Sequence, residues 1–328
     1  MKIAIVGCGA VGSYYGAMLS RAGQDVYFLL RSDYEAVRRG GVTVHSRGGS
    51  FEIRPHCARF PAEIGTCDAV LVALKATANL ELAHLLPPLV GPHTAIVTLQ
   101  NGLGNEEQLA ELFPGAQVLG GLCFVCLNRV APGVIHHLDH GRIVLGEFRG
   151  VPALRTQELA EMFGYAGVPC TVTDNLAQAH WEKLVWNIPF NGLGVVGATG
   201  REAFAAPAST FRVPSVLAAC LTTDQLLDDP HWEQLVRELM LEVIAVANAL
   251  GLGVSESLAE TQIERTRTMG AYKASTLLDF ERGLPLELES LFLKPLRQAQ
   301  GRGVATPRLA ALCAVLMELD KGRRDLKS

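Results

Sequence analysis

Two different hydrophobic patterns divide this chain near residue 174. Before that point, short apolar runs rich in β-branched residues alternate with helix-length segments, as is typical of parallel strands buried on both faces. The clearest runs are residues 2–6, 25–30, 68–74 and 94–99. Beyond that point the apolar positions repeat with the period of a helix. These helical stretches are residues 176–195, 231–250, 256–268 and 285–300. The pattern predicts a doubly wound α/β domain over residues 1–173, followed by an all-α domain over residues 174–328.

Weaker signals predict smaller elements in the first domain. Residues 42–45 and 51–54 alternate on either side of a glycine-rich turn, which predicts a hairpin at the edge of the sheet. Short strands are expected at residues 117–125, 134–138, 142–145 and 169–173, and helices near residues 33–39, 79–86 and 153–164. The tail, residues 321–328, has the composition of a frayed terminus.

A glycine-rich turn separates the first strand from the first helix. It reads Gly7-Cys8-Gly9-Ala10-Val11-Gly12. In a strand-turn-helix unit the first glycine permits a tight turn, the second lets a pyrophosphate approach the backbone, and the third lets the helix pack on the strand. The helix N-terminus also offers unpaired N–H groups to phosphates. Because a second strand follows at βαβ spacing, the motif predicts a Rossmann-type domain that binds a dinucleotide, rather than a purely structural turn.

The end of the second strand discriminates between the two nicotinamide cofactors. A domain that binds NAD usually places an acidic residue there for the ribose 2′-hydroxyl, but this strand runs into Arg31 and Ser32. The guanidinium group of Arg31 is planar and permanently charged, and it suits a 2′-phosphate. The sequence therefore favours NADP(H), with a solvated surface arginine as the alternative.

Composition excludes several classes of protein. The chain has 328 residues, of which 49% are hydrophobic and 19% charged, and its net charge is −4. This balance predicts binding neither to nucleic acid nor to an anionic membrane surface. No apolar stretch reaches the roughly 18 residues of a membrane span. A cytoplasmic location is expected.

Cysteine and histidine residues form two clusters that invite a metal or redox interpretation. The eight cysteines lie mostly inside apolar runs, as reduced and buried cysteines do, and Cys123 and Cys126 form a C-x-x-C within a strand-like run. His136, His137 and His140 lie in a predicted hairpin without a helical metal-binding spacing. We expect no metal site in either cluster.

A lysine and an amide directly follow two of the buried strands. Lys75 ends the strand at 68–74, and Asn101 follows the strand at 94–99. The carboxyl ends of strands in a doubly wound sheet face the ligand crevice. A buried amide is costly without a partner, so Asn101 is expected to contact a ligand. Lys75 either contacts cofactor or substrate or is a surface lysine whose amine extends into water.

The first helix of the second domain carries an amine and two amides at intervals of four residues. Lys183, Asn187 and Asn191 therefore lie along one helical face, on successive turns. Because apolar residues flank this polar stripe, we expect it to line a cleft. The alternative, a plain solvated face, would more usually carry glutamate and lysine than two asparagines.

Taken together, these positions resemble the ketopantoate reductase (2-dehydropantoate 2-reductase) family over nearly the full chain. The resemblance rests on Gly7 to Gly12, Arg31, Leu74-Lys75, Gln100-Asn101-Gly102, Lys183-Leu184 with Asn187 and Asn191, and Ser275 through Glu287. It implies that NADPH reduces 2-dehydropantoate, a small branched 2-oxo acid, to pantoate. It also implies that Arg31, Lys75 and Asn101 join residues 7–12 in binding NADPH.

The resemblance implies roles for the remaining site residues. Lys183 matches the lysine that protonates or polarises the keto oxygen, Ser275 a serine that contacts the substrate carboxylate, and Glu287 a glutamate at the substrate's hydroxyl end. The asparagines that line the substrate site match Asn101, Asn187 and Asn191. This agrees with the chemistry, because reducing a 2-oxo acid requires a hydride donor and a positive proton donor at the oxygen where negative charge develops.

Some positions depart from the family pattern. Tyr272 stands where the best-known members have asparagine, and Leu291-Phe292-Leu293 replaces a more polar segment after Glu287. The substrate is thus open between ketopantoate and the 2-oxo or 3-oxo acid of a sister reductase, and a third hypothesis is an NADP(H)-binding regulator without turnover. A homodimer is also considered, because the apolar helical face of Leu235, Leu239 and Val243 would pack either internally or against a second subunit.

Overall fold

The chain separates into two compact units, Met1–Leu176 and Ala177–Ser328. The computed structural model describes residues 1–200, 213–214 and 216–325. The first unit combines strands and helices, and the described part of the second unit is helical. The fold class expected from the sequence is therefore confirmed. The assignment of NADP binding to residues 1–173, and of substrate binding and dimerisation to residues 174–328, remains a prediction.

Ten strands of the first unit form one sheet. They are β1 Lys2–Val6, β2 Asp25–Leu29, β3 Val42–Ser46, β4 Gly49–Ile53, β5 His56–Ala58, β6 Ala69–Val72, β7 Ala95–Thr98, β8 Gln117–Ala131, β9 Val134–Glu147 and β10 Cys170–Thr173. Their order is β4-β3-β9-β8-β7-β6-β1-β2-β5, with β10 paired to β9. From β8 to β5 every neighbouring pair is parallel, so the carboxyl ends of β2, β6 and β7 lie at one edge of the sheet.

Helices cover both faces of this sheet. They are α1 Ala10–Arg21, α2 Tyr34–Gly40, α3 Pro61–Ile64, α4 Leu82–Leu85, α5 Asn105–Leu112 and α6 Leu154–Tyr165. Strand β1 shows why both faces need cover: Ile3 and Ile5 pack into one apolar cluster, whereas Ala4 and Val6 pack into another on the opposite face. All four are fully buried, as expected of a central parallel strand.

Two sequence expectations in the first unit are wrong. Residues 117–145 form two long strands, β8 and β9, joined as an antiparallel hairpin, rather than three short strands. The register of this hairpin shifts at three bulges, and polar residues such as His136 and His140 interrupt its apolar pattern. The helix expected at 79–86 is a 3₁₀ helix, Ala76–Glu81, followed by the single turn α4. The edge hairpin, β3 and β4, is confirmed.

The second unit is built from longer helices. They are α7 Leu176–Val196, α8 Thr223–Asp228, α9 Pro230–Ala249, α10 Ser257–Arg267, α11 Ser275–Glu281, α12 Lys294–Gly301 and α13 Pro307–Asp325. The helix expected at 285–300 begins instead as a π-helix, Glu289–Leu293, before α12. The prediction of a frayed tail is wrong for residues 321–325, which continue α13. Residues 326–328 lie outside the described part of the chain.

The apolar face of α9 packs inside the chain. Leu235, Leu239 and Val243 are each at most 3% exposed. Of the two alternatives left by the sequence, the structure shows internal packing. Among the described residues, no helix combines the length and the apolar character that crossing a membrane requires.

Candidate cofactor and substrate sites

The glycine-rich loop after β1 has the geometry that a dinucleotide site requires. A methyl group on Gly7, whose φ is +102°, would lie 2.3 Å from the Leu74 nitrogen, and one on Gly12 would lie 2.2 Å from the Gly7 oxygen. Both positions are therefore closed to any side chain. A methyl group on Gly9 would meet no atom within 4 Å. The loop thus leaves open space at its middle glycine, where a pyrophosphate would approach the backbone.

Helix α1 begins at this loop without a side-chain cap. Gly9 is the N-cap residue, and no side chain accepts a hydrogen bond from the first turn, so its N–H groups remain available to an anion. The Ser13 hydroxyl donates to the Cys8 carbonyl at 3.0 Å and holds the turn. The Cys8 thiol donates to the Leu29 carbonyl at 3.5 Å, and burial raises the pKa of this thiol well above its ordinary value. Cys8 thus contributes its backbone and its packing, with a neutral thiol.

The acidic residue nearest to the end of β2 is engaged within the protein. Asp33 is 6% exposed, forms an ion pair with Arg129, and accepts a hydrogen bond from the Ser32 hydroxyl at 3.0 Å. Arg31 is exposed. This edge therefore presents a guanidinium rather than a carboxylate, in agreement with the expectation of NADP(H). Sequence reasoning missed the role of Asp33, because its partner lies 96 residues away.

Other guanidinium groups lie beside the same edge. Arg59 directly follows β5, which pairs with β2, and its guanidinium lies 4.3 Å from the centre of the Tyr34 ring. Its nitrogen is 2.7 Å from a carboxylate oxygen of Glu35, and Arg38 binds the same carboxylate at 3.3 Å. Hydrogen bonds from Arg59 and Arg38 lower the pKa of Glu35. Arg31, Arg38 and Arg59 thus provide three guanidinium groups, a chemistry suited to a phosphate.

The candidate residues at the ends of β6 and β7 lie on neighbouring parallel strands. Lys75 is exposed and caps the 3₁₀ helix, and Asn101 is half-buried in the loop after β7. Gln100, beside Asn101, is directed inward: its amide nitrogen donates to the Leu74 carbonyl at 2.9 Å and to the Asn79 side chain at 2.6 Å. Gln100 is thus held by partners within the first unit, and no sequence pattern predicted these partners.

In the second unit, α7 carries the predicted polar stripe in a largely buried setting. Asn187 and Asn191 are 7% and 3% exposed, and Lys183 is half-buried. The solvated-face alternative is therefore wrong for the two asparagines. Asn187 stays a predicted ligand-binding position, because a buried amide is costly without a hydrogen-bond partner.

Asn191 is hydrogen-bonded to Ser275, another residue of the predicted substrate site. Its side-chain oxygen accepts from the Thr276 backbone N–H at 2.9 Å and from the Ser275 hydroxyl at 3.2 Å. These bonds hold the first turn of α11, which has no other side-chain cap. The Asn191 oxygen is therefore structural, and its amide nitrogen is the part suited to a ligand.

Glu287 is buried just before the π-helix. It is 4% exposed, and its backbone carbonyl accepts from Leu291 at 3.2 Å. The preceding residue, Leu286, donates its N–H to the buried carboxylate of Asp320 at 3.1 Å, which fixes the extended segment leading to Glu287. The Ser290 hydroxyl is buried with no hydrogen-bond partner in the described part of the chain. Single π-turns often accompany functional sites.

Tyr272 packs within an aromatic cluster. Its ring centre lies 6.3 Å from that of Trp186, which stacks on Phe190 at 5.0 Å. The indole nitrogen of Trp186 donates to the Thr266 hydroxyl at 2.9 Å. Trp186 and Phe190 precede Asn187 and Asn191 on α7, so an apolar surface adjoins the polar stripe.

The cysteine and histidine clusters have structural contacts. Cys123 and Cys126 are buried thiols in β8 that form no disulfide. The three histidines lie in β9, where the His137 ring packs at a tilt against Tyr14, with ring centres 4.6 Å apart. Across the described residues, no group of three or more His, Cys, Asp or Glu side chains is arranged to hold a metal ion.

Comparison with known proteins decides the family. The family model described as ketopantoate reductase PanE/ApbA matches residues 3–150, and its C-terminal counterpart matches residues 206–320. A 2-dehydropantoate 2-reductase from Nostoc sp. is 40% identical, over 98% of this chain and 96% of its own length. The chain belongs to the ketopantoate reductase family.

Solved structures of this family share the fold over the full chain. The crystal structure of 2-dehydropantoate 2-reductase from Geobacter metallireducens is 46% identical, with a TM-score of 0.87, covering 97% of this chain and 99% of that chain. The corresponding enzyme from Methylococcus capsulatus is 34% identical, with a TM-score of 0.85 and 98% coverage of both chains. The resemblance drawn from the sequence is thus confirmed, while the role of each ketopantoate reductase site residue remains to be tested.

Proposed function

We propose that this chain is an NADP-dependent oxidoreductase that reduces 2-dehydropantoate to pantoate. The observation that carries this proposal is the full-length similarity to 2-dehydropantoate 2-reductases, at 40% identity in the Nostoc relative. Bound NADPH would supply a hydride for the C2 keto carbon, and Lys183 would supply a proton for the oxygen.

The first unit is proposed to bind NADP(H). Residues 7–12 bind the pyrophosphate, because Gly9 leaves space beside the uncapped start of α1. Arg31 binds the 2′-phosphate. Lys75 and Asn101, which follow β6 and β7, are proposed to bind the remainder of the cofactor. The bound cofactor supplies the hydride, and these residues seat it.

The second unit is proposed to bind and protonate the substrate. The Lys183 ammonium donates a proton to the oxygen as negative charge develops there. Asn187 and the amide nitrogen of Asn191 donate hydrogen bonds to the substrate, and Ser275 binds its carboxylate. Glu287 accepts from the substrate hydroxyl and helps to keep Lys183 protonated. Asn101 is proposed to contribute from the first unit.

The remaining expectations stay predictions. We propose a small-molecule 2-oxo acid as the partner, with neither nucleic acid nor membrane involved, and a cytoplasmic location. A homodimer is also proposed. Because Leu235, Leu239 and Val243 are buried within the chain, the dimer interface must be formed by another surface.

One assay tests the proposed function directly. NADPH oxidation is followed with a panel of 2-oxo and 3-oxo acids that includes ketopantoate. We expect the highest kcat/KM for ketopantoate. A higher value for another acid would identify a sister reductase, and NADPH binding without oxidation of any panel member would favour a regulator.

Arg31→Ala is expected to weaken NADPH binding by about tenfold or more and to leave NADH binding nearly unchanged, because a charged hydrogen bond to the 2′-phosphate is lost. The dissociation constants are measured by fluorescence titration of both cofactors. Equal losses for NADPH and NADH would indicate a packing defect instead.

Asn187→Ala and Asn191→Ala are expected to separate binding from stability. Both raise the KM for the oxo acid, but only Asn191→Ala also destabilises the protein, by about 1 kcal/mol, because it removes the cap of α11. Steady-state kinetics and chemical denaturation measure the two effects. Loss of stability in both variants, with KM unchanged, would assign both residues to the core.

A further inference from the structure

Three amide side chains, two of them buried and that of Asn79 half-buried, join the ends of β6 and β7 in a single hydrogen-bonded series. This series is called here the amide chain: Gln100, Asn79 and Asn105. The Gln100 nitrogen donates to the Asn79 oxygen at 2.6 Å. The Asn79 nitrogen donates to the Asn105 oxygen at 3.0 Å, and the Asn105 nitrogen donates to the Asn101 backbone carbonyl at 3.1 Å. At the other end, Gln100 also donates to the Leu74 carbonyl at 2.9 Å.

The direction of the amide chain is fixed. Each amide accepts on its oxygen and donates from its nitrogen, and the Gln100 oxygen itself accepts from the Thr98 hydroxyl at 3.1 Å. Flipping any amide would oppose oxygen to oxygen. Because Gln100 is 6% and Asn105 1% exposed, water does not readily replace a lost donor.

The amide chain ends on the backbone of both segments proposed to hold the cofactor. Strands β6 and β7 are paired only as far as Val72 and Thr98. Beyond that point the amide chain links the carbonyl just before Lys75 to the carbonyl of Asn101. The amide chain therefore fixes the separation of these two loops without using the side chain of Lys75 or of Asn101.

We propose that Asn79 and Asn105 are positioning residues for hydride transfer. They hold the Lys75 and Asn101 backbones at the spacing that seats the nicotinamide half of NADPH, and neither needs to touch the ligand. This inference rests on the proposed function, because it takes Lys75 and Asn101 as cofactor-binding residues. The adenosine half of NADPH is proposed to bind near Arg31, which follows β2. Substitution of Asn79 or Asn105 should therefore leave the affinity for this half unchanged.

The test uses Asn79→Asp and Asn105→Asp in the full chain. Aspartate keeps the shape and the acceptor but, when ionised, has no donor for the next link. At about pH 8 we expect single-turnover hydride transfer to ketopantoate to fall by about tenfold or more, with the affinity for 2′,5′-ADP unchanged. A protonated aspartic acid donates again, and burial beside the oxygens of neighbouring amides raises the pKa of the introduced carboxyl. The rate relative to wild type should therefore begin to recover as the pH falls towards about 5.5.

Asn248→Asp, at an exposed position, is the control for the change of an amide to a carboxylate. Asn248 in α9 also donates to a backbone carbonyl, that of Val254, at 2.9 Å, and it lies in the other unit. It should lower Tm without a loss of hydride transfer that depends on pH. Asn79→Ala and Asn105→Ala remove the donor without adding charge and should show the loss without recovery at low pH.

Three outcomes would overturn the proposal. They are a lowered Tm with unchanged hydride transfer, an equal loss of affinity for 2′,5′-ADP and NADPH, and an absence of pH-dependent recovery in both aspartate variants. If wild-type protein reduces no oxo acid, the proposed function has failed. The positioning role is then decided by the ratio of NADPH to 2′,5′-ADP affinity, and an unchanged ratio in the variants overturns it.

Discussion

Lys183→Ala is expected to lower kcat by about a hundredfold or more while NADPH still binds. General acid catalysis by a positioned side chain contributes about this much, and the variant has no other ammonium at that position of α7. The cofactor residues proposed above all lie in the other unit, so the dissociation constant of NADPH should be nearly that of wild type. Steady-state kinetics with ketopantoate and a fluorescence titration with NADPH measure the two quantities.

Lys273→Ala serves as the control for this change. Its amine forms an ion pair with Glu281 at 2.8 Å, in the same unit, so the substitution removes a lysine without touching the proposed chemistry. We expect its kcat to match wild type. An unchanged kcat in Lys183→Ala would remove Lys183 from the mechanism, and a loss of NADPH binding would indicate a wider structural defect.

The parts of the fold that the sequence predicted correctly are those set by local pattern. Strand β1 and helix α1 follow directly from a β-branched run and a glycine-rich turn, and α7 from a long helical period. The hairpin of β8 and β9 was missed because bulges and exposed histidines interrupt its alternation, while its pairing depends on a partner strand. Helix α13 was not predicted, and its charged residues 321–325 were assigned to a frayed tail instead, although α13 continues to Asp325.

The same distinction separates the predicted site residues from those that were missed. Lys183, Asn187 and Asn191 share one helix, so their common face can be derived from spacing alone. The links from Asn79 to Gln100 and Asn105 join residues more than 20 positions apart, through loops with no periodic pattern. Their partners are set by which strand ends lie side by side, and that order is a property of the sheet topology.

Gly9→Ala and Gly12→Ala are expected to separate cofactor binding from folding, although the two residues belong to one motif. The added methyl group at Gly9 meets no protein atom within 4 Å, so the fold should accept it. It occupies the space proposed for the pyrophosphate, and such overpacking, at about 1–3 kcal/mol, weakens NADPH binding by about tenfold to a hundredfold. The methyl group at Gly12 would lie 2.2 Å from the Gly7 oxygen and should instead destabilise the first unit.

Thermal denaturation without cofactor, and NADPH titration of each variant that folds, distinguish these effects. Gly9→Ala should keep the Tm of wild type and lose affinity for NADPH and NADH alike, because both cofactors carry the pyrophosphate. Gly12→Ala should show a lower Tm even without cofactor. If Gly9→Ala bound both cofactors as wild type does, the open space beside Gly9 would not be the pyrophosphate site, and the N-terminus of α1 would lose its proposed role.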